Sequence, residues 1–220
     1  MAIQQQGFGG VIAEVDGVTF RAQRITPRPI EYGAYGHYRF ARTVPLLASQ
    51  AANGTLFSFR WADTTRFAVI SKIKLSVIQT AMATATIMPI FEVLVARAWS
   101  ASDSGGTALV LTGNSFKKRT TMGTTLLTDA RASSATTGLT VGTRTLDGDA
   151  ILQLPTQQTI TTPNAILYVA ELDISAGDGN HPLVLAQNEG FIVRGPTVAF
   201  GVAGTANLMI ETSWAEVAAY

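Results

Sequence analysis

Cysteine is absent from all 220 residues, which excludes a disulfide framework and any thiolate metal site. Histidine is nearly absent too: His37 and His181 are the only two, so the commonest general base and metal ligand has little representation. Charged residues make up 14 % of the chain, against a usual ~25 %. The net charge of +1 supplies no global field toward nucleic acid or an anionic membrane. Long apolar runs are missing. The longest uncharged stretch, residues 75–91, holds Gln79, four threonines and serines, and Pro89, too short and too polar for a membrane span. The opening Met1-Ala2-Ile3-Gln4-Gln5-Gln6-Gly7 has neither a basic segment nor an apolar one, so no secretory signal is expected. These shortages disfavour an enzyme, and no cofactor and no metal ligand set is expected.

What is present is strand-forming sequence. The hydrophobic fraction is 47 %, enough to bury a core over most of the length. Thr55-Leu56-Phe57-Ser58-Phe59-Arg60-Trp61 alternates, with Phe57, Phe59 and Trp61 predicted inward and Ser58 and Arg60 outward. Residues 67–70 and 73–77 repeat that pattern, and 91–97 reads as a more fully buried strand. Further strands are predicted over 166–174, 183–186, 191–194, 197–202 and 208–217. Helix signals are thin: residues 115–122 could form one short helix ended by Gly123, and 124–146 reads as an excursion between strands. Around ten strands without a fixed repeat point to an all-β sandwich or barrel.

The first 45 residues differ in character. Glycines and prolines recur there among Tyr32, Tyr35, Tyr38, Phe40 and several arginines. Glycine and proline weaken an independent core, whereas aromatics and arginine are enriched at interface anchors. Two readings stand: an edge strand and loop on the same domain, or an extended N-terminal arm that reaches a neighbouring subunit. The organisation expected is an arm and edge strand over 1–45 and a β-sandwich over 46–220. The candidate partner-binding residues are Tyr32, Tyr35, Tyr38, Arg39, Phe40 and Arg42.

Each motif with possible chemistry has a simpler reading. Asp103-Ser104-Gly105-Gly106 is similar to the string around the nucleophile of trypsin-like proteases, but that mechanism needs a positioned histidine and a buried carboxylate. His37 lies in Gly36-His37-Tyr38 without the matching context, so a tight turn is expected. Asp173, Asp178 and Asn180 offer oxygens in a glycine-rich loop, yet their spacing does not match a calcium loop. Asp147 and Asp149 also read as turn residues. Lys117-Lys118-Arg119 is the one dense basic run, expected on a solvated face or at a contact with another subunit.

Three stretches together carry a resemblance: Phe57-Ser58-Phe59-Arg60-Trp61; residues 101–114, from Ala101-Ser102-Asp103 to Leu111-Thr112-Gly113-Asn114; and residues 181–194, from His181-Pro182-Leu183 to Ile192-Val193-Arg194. With the ending Trp214-Ala215-Glu216-Val217-Ala218-Ala219-Tyr220, they resemble virion structural proteins of tailed bacteriophages. The resemblance implies a jelly-roll sandwich, a homotrimer, and a place on the capsid surface as a cement or decoration protein. Its implied partners are other copies of the chain and the major capsid protein, with no direct nucleic acid and no membrane. Low charge agrees with that role, since exposed ion pairs contribute only ~0–1 kcal/mol each and are screened by salt. Two alternatives are a glycan-binding module on a fibre or tail, for which Trp99 beside Asp103 is the suggestive neighbourhood, and the shell-forming subunit itself.

Overall fold

A computed structural model describes residues 36–161, 167–173 and 182–218, together with two short strands nearer the start. The chain divides into two compact units, Met1–Gly33 and Ala34–Tyr220. In the first, β1 (Gln5–Gln6) pairs antiparallel with β2 (Ile12–Ala13). The remainder of the expected arm, with Tyr32 and Tyr35, lies outside the described residues.

Among the described residues, the second unit is an antiparallel sandwich of twelve strands. In chain order they are β3 (Gly36–Leu46), β4 (Thr55–Trp61), β5 (Phe67–Ala81), β6 (Ile90–Arg97), β7 (Thr107–Ala108) and β8 (Asp129–Ala132). Then follow β9 (Thr145–Leu146), β10 (Leu152–Pro155), β11 (Leu167–Asp173), β12 (Leu183–Leu185), β13 (Glu189–Arg194) and β14 (Thr205–Val217). One sheet runs β11-β5-β14-β3, with β12 continuing the line of β11 along β5. The other runs β10-β6-β13-β4-β8-β7, with β9 beside β6. Counting β11 and β12 as one position and omitting the short β7, β8 and β9, the two sheets interleave as 1-8-3-6 and 2-7-4-5. That order is the double Greek key of a jelly roll. The unit begins earlier than the boundary read at residue 45, because β3 pairs with β14 from Gly36 to Leu46 and is an integral edge strand.

Alternation builds the core between the sheets. Phe57, Phe59 and Trp61 on β4 point inward, as predicted, into the core that also holds Phe191 on β13 and Trp214 on β14. Phe59 stacks on Phe191, its cross-strand partner, with ring centroids 4.9 Å apart. It also meets Trp214 of the opposite sheet edge-on at 5.5 Å. Such pairs add ~0.5–1.5 kcal/mol beyond the burial of their area. The two stretches read at 67–70 and 73–77 form one 15-residue strand with a β-bulge at Ser71: Trp214 pairs with Ile70 and Ser213 with Lys72, so Ile70 and Ile73, three positions apart, both face the core.

Three elements differ from the sequence reading. Residues 115–122 form no helix beyond one 3-10 turn at Asn114–Phe116. The Lys118 N–H is drawn instead to the His37 carbonyl, at 2.9 Å, so the run is tied to β3. Residues 197–202 form no strand: Phe200 N–H donates to the Gln50 carbonyl and Ser49 N–H to the Gly201 carbonyl, both at 2.9 Å, so this backbone bonds a loop. Ser58 is buried rather than exposed. The excursion through 98–106 and 133–150 folds over the outside of the second sheet, where Leu94, Ala96, Trp99 and Ile192 form a separate small core. That cover explains why β6 and β13 read as continuous apolar runs.

Candidate interaction surfaces

The outer cover gathers most of the polar chemistry. Arg60 projects from β4 and donates to the Trp99 carbonyl (2.7 Å), Asn188 Oδ1 (2.8 Å) and Asp129 Oδ2 (3.1 Å). Deeper in, Arg144 forms an ion pair with Asp103 in which the two side chains are 2 % and 0 % exposed. Its guanidinium lies 4.6 Å from the Trp99 ring centroid, and it donates to Thr55 Oγ1 at 3.0 Å. Asp103 Oδ1 also accepts from the Gly142 N–H at 2.8 Å. These groups staple the excursion to the sheet. Trp99 and Asp103, the neighbourhood expected for a glycan, are therefore internal: Trp99 is fully buried and cannot offer its face to a sugar.

The protease-like string is a turn. Ser104 pairs with Thr140 in a lone β-bridge, and Gly105 and Gly106 take φ of 76° and 55°, a region side chains rarely adopt. Asp147 accepts from Arg97, with Nε to Oδ1 at 3.1 Å, and serves as its partner in the β9–β10 turn. Asp178, Asn180 and His181 lie outside the described residues, as does the side chain of Asp173. Among the described residues no three His, Asp or Glu side chains come together.

Of the expected partner-binding residues, the structure separates the aromatic from the basic ones. Tyr38 and Phe40 are buried at 1 % and 6 % and belong to the core beside Trp214, so they are not surface anchors. Inward alternation on an edge strand accounts for this. Arg39 and Arg42 are exposed. The antiparallel bridge from Tyr38 to Lys117, with the Lys118 N–H on the His37 carbonyl, sets the Lys117-Lys118-Arg119 run beside the start of β3, next to Arg39; Arg42 lies further along β3, at the parity of Phe40 and Val44. This brings Arg39 and the 117–119 run, almost 80 residues apart in sequence, to one basic flank. Among the described residues no carboxylate pairs with Arg39, Arg42, Lys117 or Arg119; Glu211, opposite Ala41, is the acid nearest in register. Sequence reading gave both halves without their juxtaposition.

One end of the sandwich is a surface that sequence reading missed. Loops 47–54, 82–89, 156–161 and 195–204 converge there. Asn53 N–H donates to the Pro196 carbonyl (2.7 Å) and Ala83 N–H to the Thr159 carbonyl (3.0 Å). Ile87 and Gln158 exchange two backbone bonds, at 3.1 and 2.9 Å. None of the sixteen lysines and arginines or fifteen aspartates and glutamates lies in these loops. They instead expose Leu47, Met82, Met88, Ile160, Val198 and Val202, with Met88 at 70 % and Val202 at 77 %. The available signal was the absence of charge in four separate stretches, which only the topology brings together.

Near the end of β14, Glu216 is fully buried. Its Oε1 accepts from the Thr125 hydroxyl at 2.5 Å and the Leu126 N–H at 3.0 Å, and Arg66 Nη1 stands 3.8 Å from Oε2. Burial raises its pKa above the ordinary glutamate value, opposed by those donors and Arg66. Burial and the neighbouring Glu216 push Tyr38 up to about 12. Tyr38 also donates to the Gly123 carbonyl at 3.1 Å, so both groups hold the 114–127 segment against the sandwich. The folded state holds the Glu216 proton more tightly than the unfolded state, so this group's contribution falls as pH rises above the ordinary glutamate pKa of ~4.3. Glu216→Gln keeps an acceptor for Thr125 and Leu126 but does not ionise. Its urea midpoint is expected to fall less than the wild type's between about pH 5 and 7.5. Equal slopes would remove Glu216 as the cause.

The fold class is thus a double-sheet jelly roll that carries a basic flank and an uncharged apolar end. No protein-family model and no curated protein sequence matches the chain. Among solved structures, it is similar to a chain in the structure of infectious bursal disease virus Gt strain, at 11 % identity. The match covers 96 % of this chain and 48 % of that one, so this chain spans about half its length. The TM-score of 0.13 is too low for that likeness to carry any argument.

Proposed function

We propose that this chain is a structural protein of a bacteriophage virion, a cement or decoration subunit that strengthens a shell by adhering to it and to copies of itself. The observation that carries the reading is the jelly-roll strand order, 1-8-3-6 over 2-7-4-5, with its polar groups used to staple loops. Jelly rolls serve as capsid subunits, lectins and cupins. A lectin reading loses its best site in this chain with the burial of Trp99. The capsid reading uses the surfaces that remain. The basic flank of Arg39 and the 117–119 run, with Arg42 further along the same edge strand, fits an acidic patch on a shell protein.

The test mixes purified protein with shells that lack it and reads occupancy in the sedimented particles by gel densitometry. Wild-type protein is expected to sediment with the shells. Arg39→Glu with Arg42→Glu should lower occupancy on the order of tenfold at physiological salt and leave the melting temperature unchanged, since reversed rim charges act on association. Failure of the wild-type protein to sediment with shells would overturn the reading.

A further inference from the structure

We infer that the uncharged end of the jelly roll is where copies of this chain meet, packed apolar end to apolar end around a symmetry axis. The inference deepens the structural reading above, because a subunit that works by adhesion needs a defined contact with its own kind.

The first argument is electrostatic. Partners that differ are selected largely by matched charges, which also exclude the wrong ones. Loops 47–54, 82–89, 156–161 and 195–204 contain no charge to match. A surface of this kind is complementary to another uncharged apolar surface, and its own copy supplies one without any need for charge pairing. Closed symmetry is the common outcome when one patch meets itself or its neighbours about an axis.

The second argument is area. The six exposed side chains, from 38 % to 77 % accessible, present roughly 600 Å² together, against ~800 Å² per partner in a standard interface. Leu167, 58 % exposed at the start of β11, stands across from Ile78 near the same end and extends the patch toward that size. A patch of roughly 600 Å² is at the upper limit for a typical monomer.

The third argument is preorganisation. The loops are cross-tied: 47–54 to 195–204 by four backbone bonds of 2.7–3.1 Å, and 82–89 to 156–161 by four of 2.9–3.1 Å. Thr80 and Thr205 hydroxyls add a bond of 2.8 Å across the base. Little loop entropy remains to be lost on contact, which favours association by burial alone.

The experiment uses the full chain. Its mass is followed by sedimentation velocity from about 1 to 100 µM, and melting is monitored to confirm folding. The wild type is expected to assemble, and about 1 M salt should leave the assembly intact or strengthen it, as apolar contacts require. Met88→Glu with Val202→Glu should weaken assembly on the order of 100-fold, because carboxylates would be buried without partners. Ile160→Glu with Val198→Glu provides a second pair should the first fold poorly. Val110→Glu with Val141→Glu, at 68 % and 59 % exposure outside these loops, should leave the mass unchanged. A monomeric wild type, an assembly that survives both end pairs, or equal loss in the control pair would each overturn the inference. So would flotation of the wild type with phosphatidylcholine vesicles that the end variants abolish, which would assign the surface to a membrane. Wild-type protein that assembles through this end yet fails to bind shells would sink the virion role and leave the contact standing.

Discussion

Asp103→Ala is expected to lower the folding stability by about 3–5 kcal/mol, read as a fall in the urea midpoint, because it strands the Arg144 guanidinium in the interior. Asp103 and Arg144 are both nearly inaccessible, and the carboxylate also takes the Gly142 N–H. Without Asp103, Arg144 retains Thr55 and the Trp99 ring, neither of which carries a compensating charge. The informative comparison is the double variant Asp103→Ala with Arg144→Met, which removes both charges. It should recover much of the loss, since an apolar replacement of a whole buried pair is often tolerated. A loss below about 1 kcal/mol in the single variant would mean that water reaches the guanidinium, contrary to the observed burial.

The second large effect is expected at Trp214. It is fully buried on β14, with ring centroids 5.5 Å from Tyr38, 5.8 Å from Phe40 and 5.5 Å from Phe59. Phe59 belongs to the opposite sheet, so Trp214 is one of the side chains that join the two layers. Trp214→Ala should cost about 3–5 kcal/mol and flatten the near-ultraviolet circular dichroism that ordered aromatic packing produces. Trp214→Phe keeps a ring in the same place and should lose less than half as much. Equal losses would show that the indole's shape, rather than aromatic filling, governs the site.

These two positions mark different degrees of legibility. Trp214 sits in an alternating stretch, and period-2 patterning puts such a residue on the core face whatever the neighbouring strand proves to be. Trp99 and Asp103 carry no periodic signal, and short-range reading paired them as an exposed sugar platform. Arg144, some 40 residues away, turns that pair inward, and no local pattern encodes such a meeting. Tyr38 and Phe40 failed for a related reason. Aromatic and arginine enrichment resembles an interface anchor, but alternation along β3 sends the aromatics into the core and leaves Arg39 outside.

The all-β class was legible from residue order alone, because side-chain alternation is a local property that follows from the pleat of each strand. Residue order also placed the inward aromatics of β4 and the turn at Asp103-Ser104-Gly105-Gly106, where glycine supplies backbone angles that other residues resist. Which strands are neighbours was set by long-range folding, and with it that four uncharged loops share one end and two basic segments share one flank. Such surfaces are sums over residues far apart in the chain, and their charge and apolarity acquire meaning once long-range strand pairing has fixed who stands beside whom.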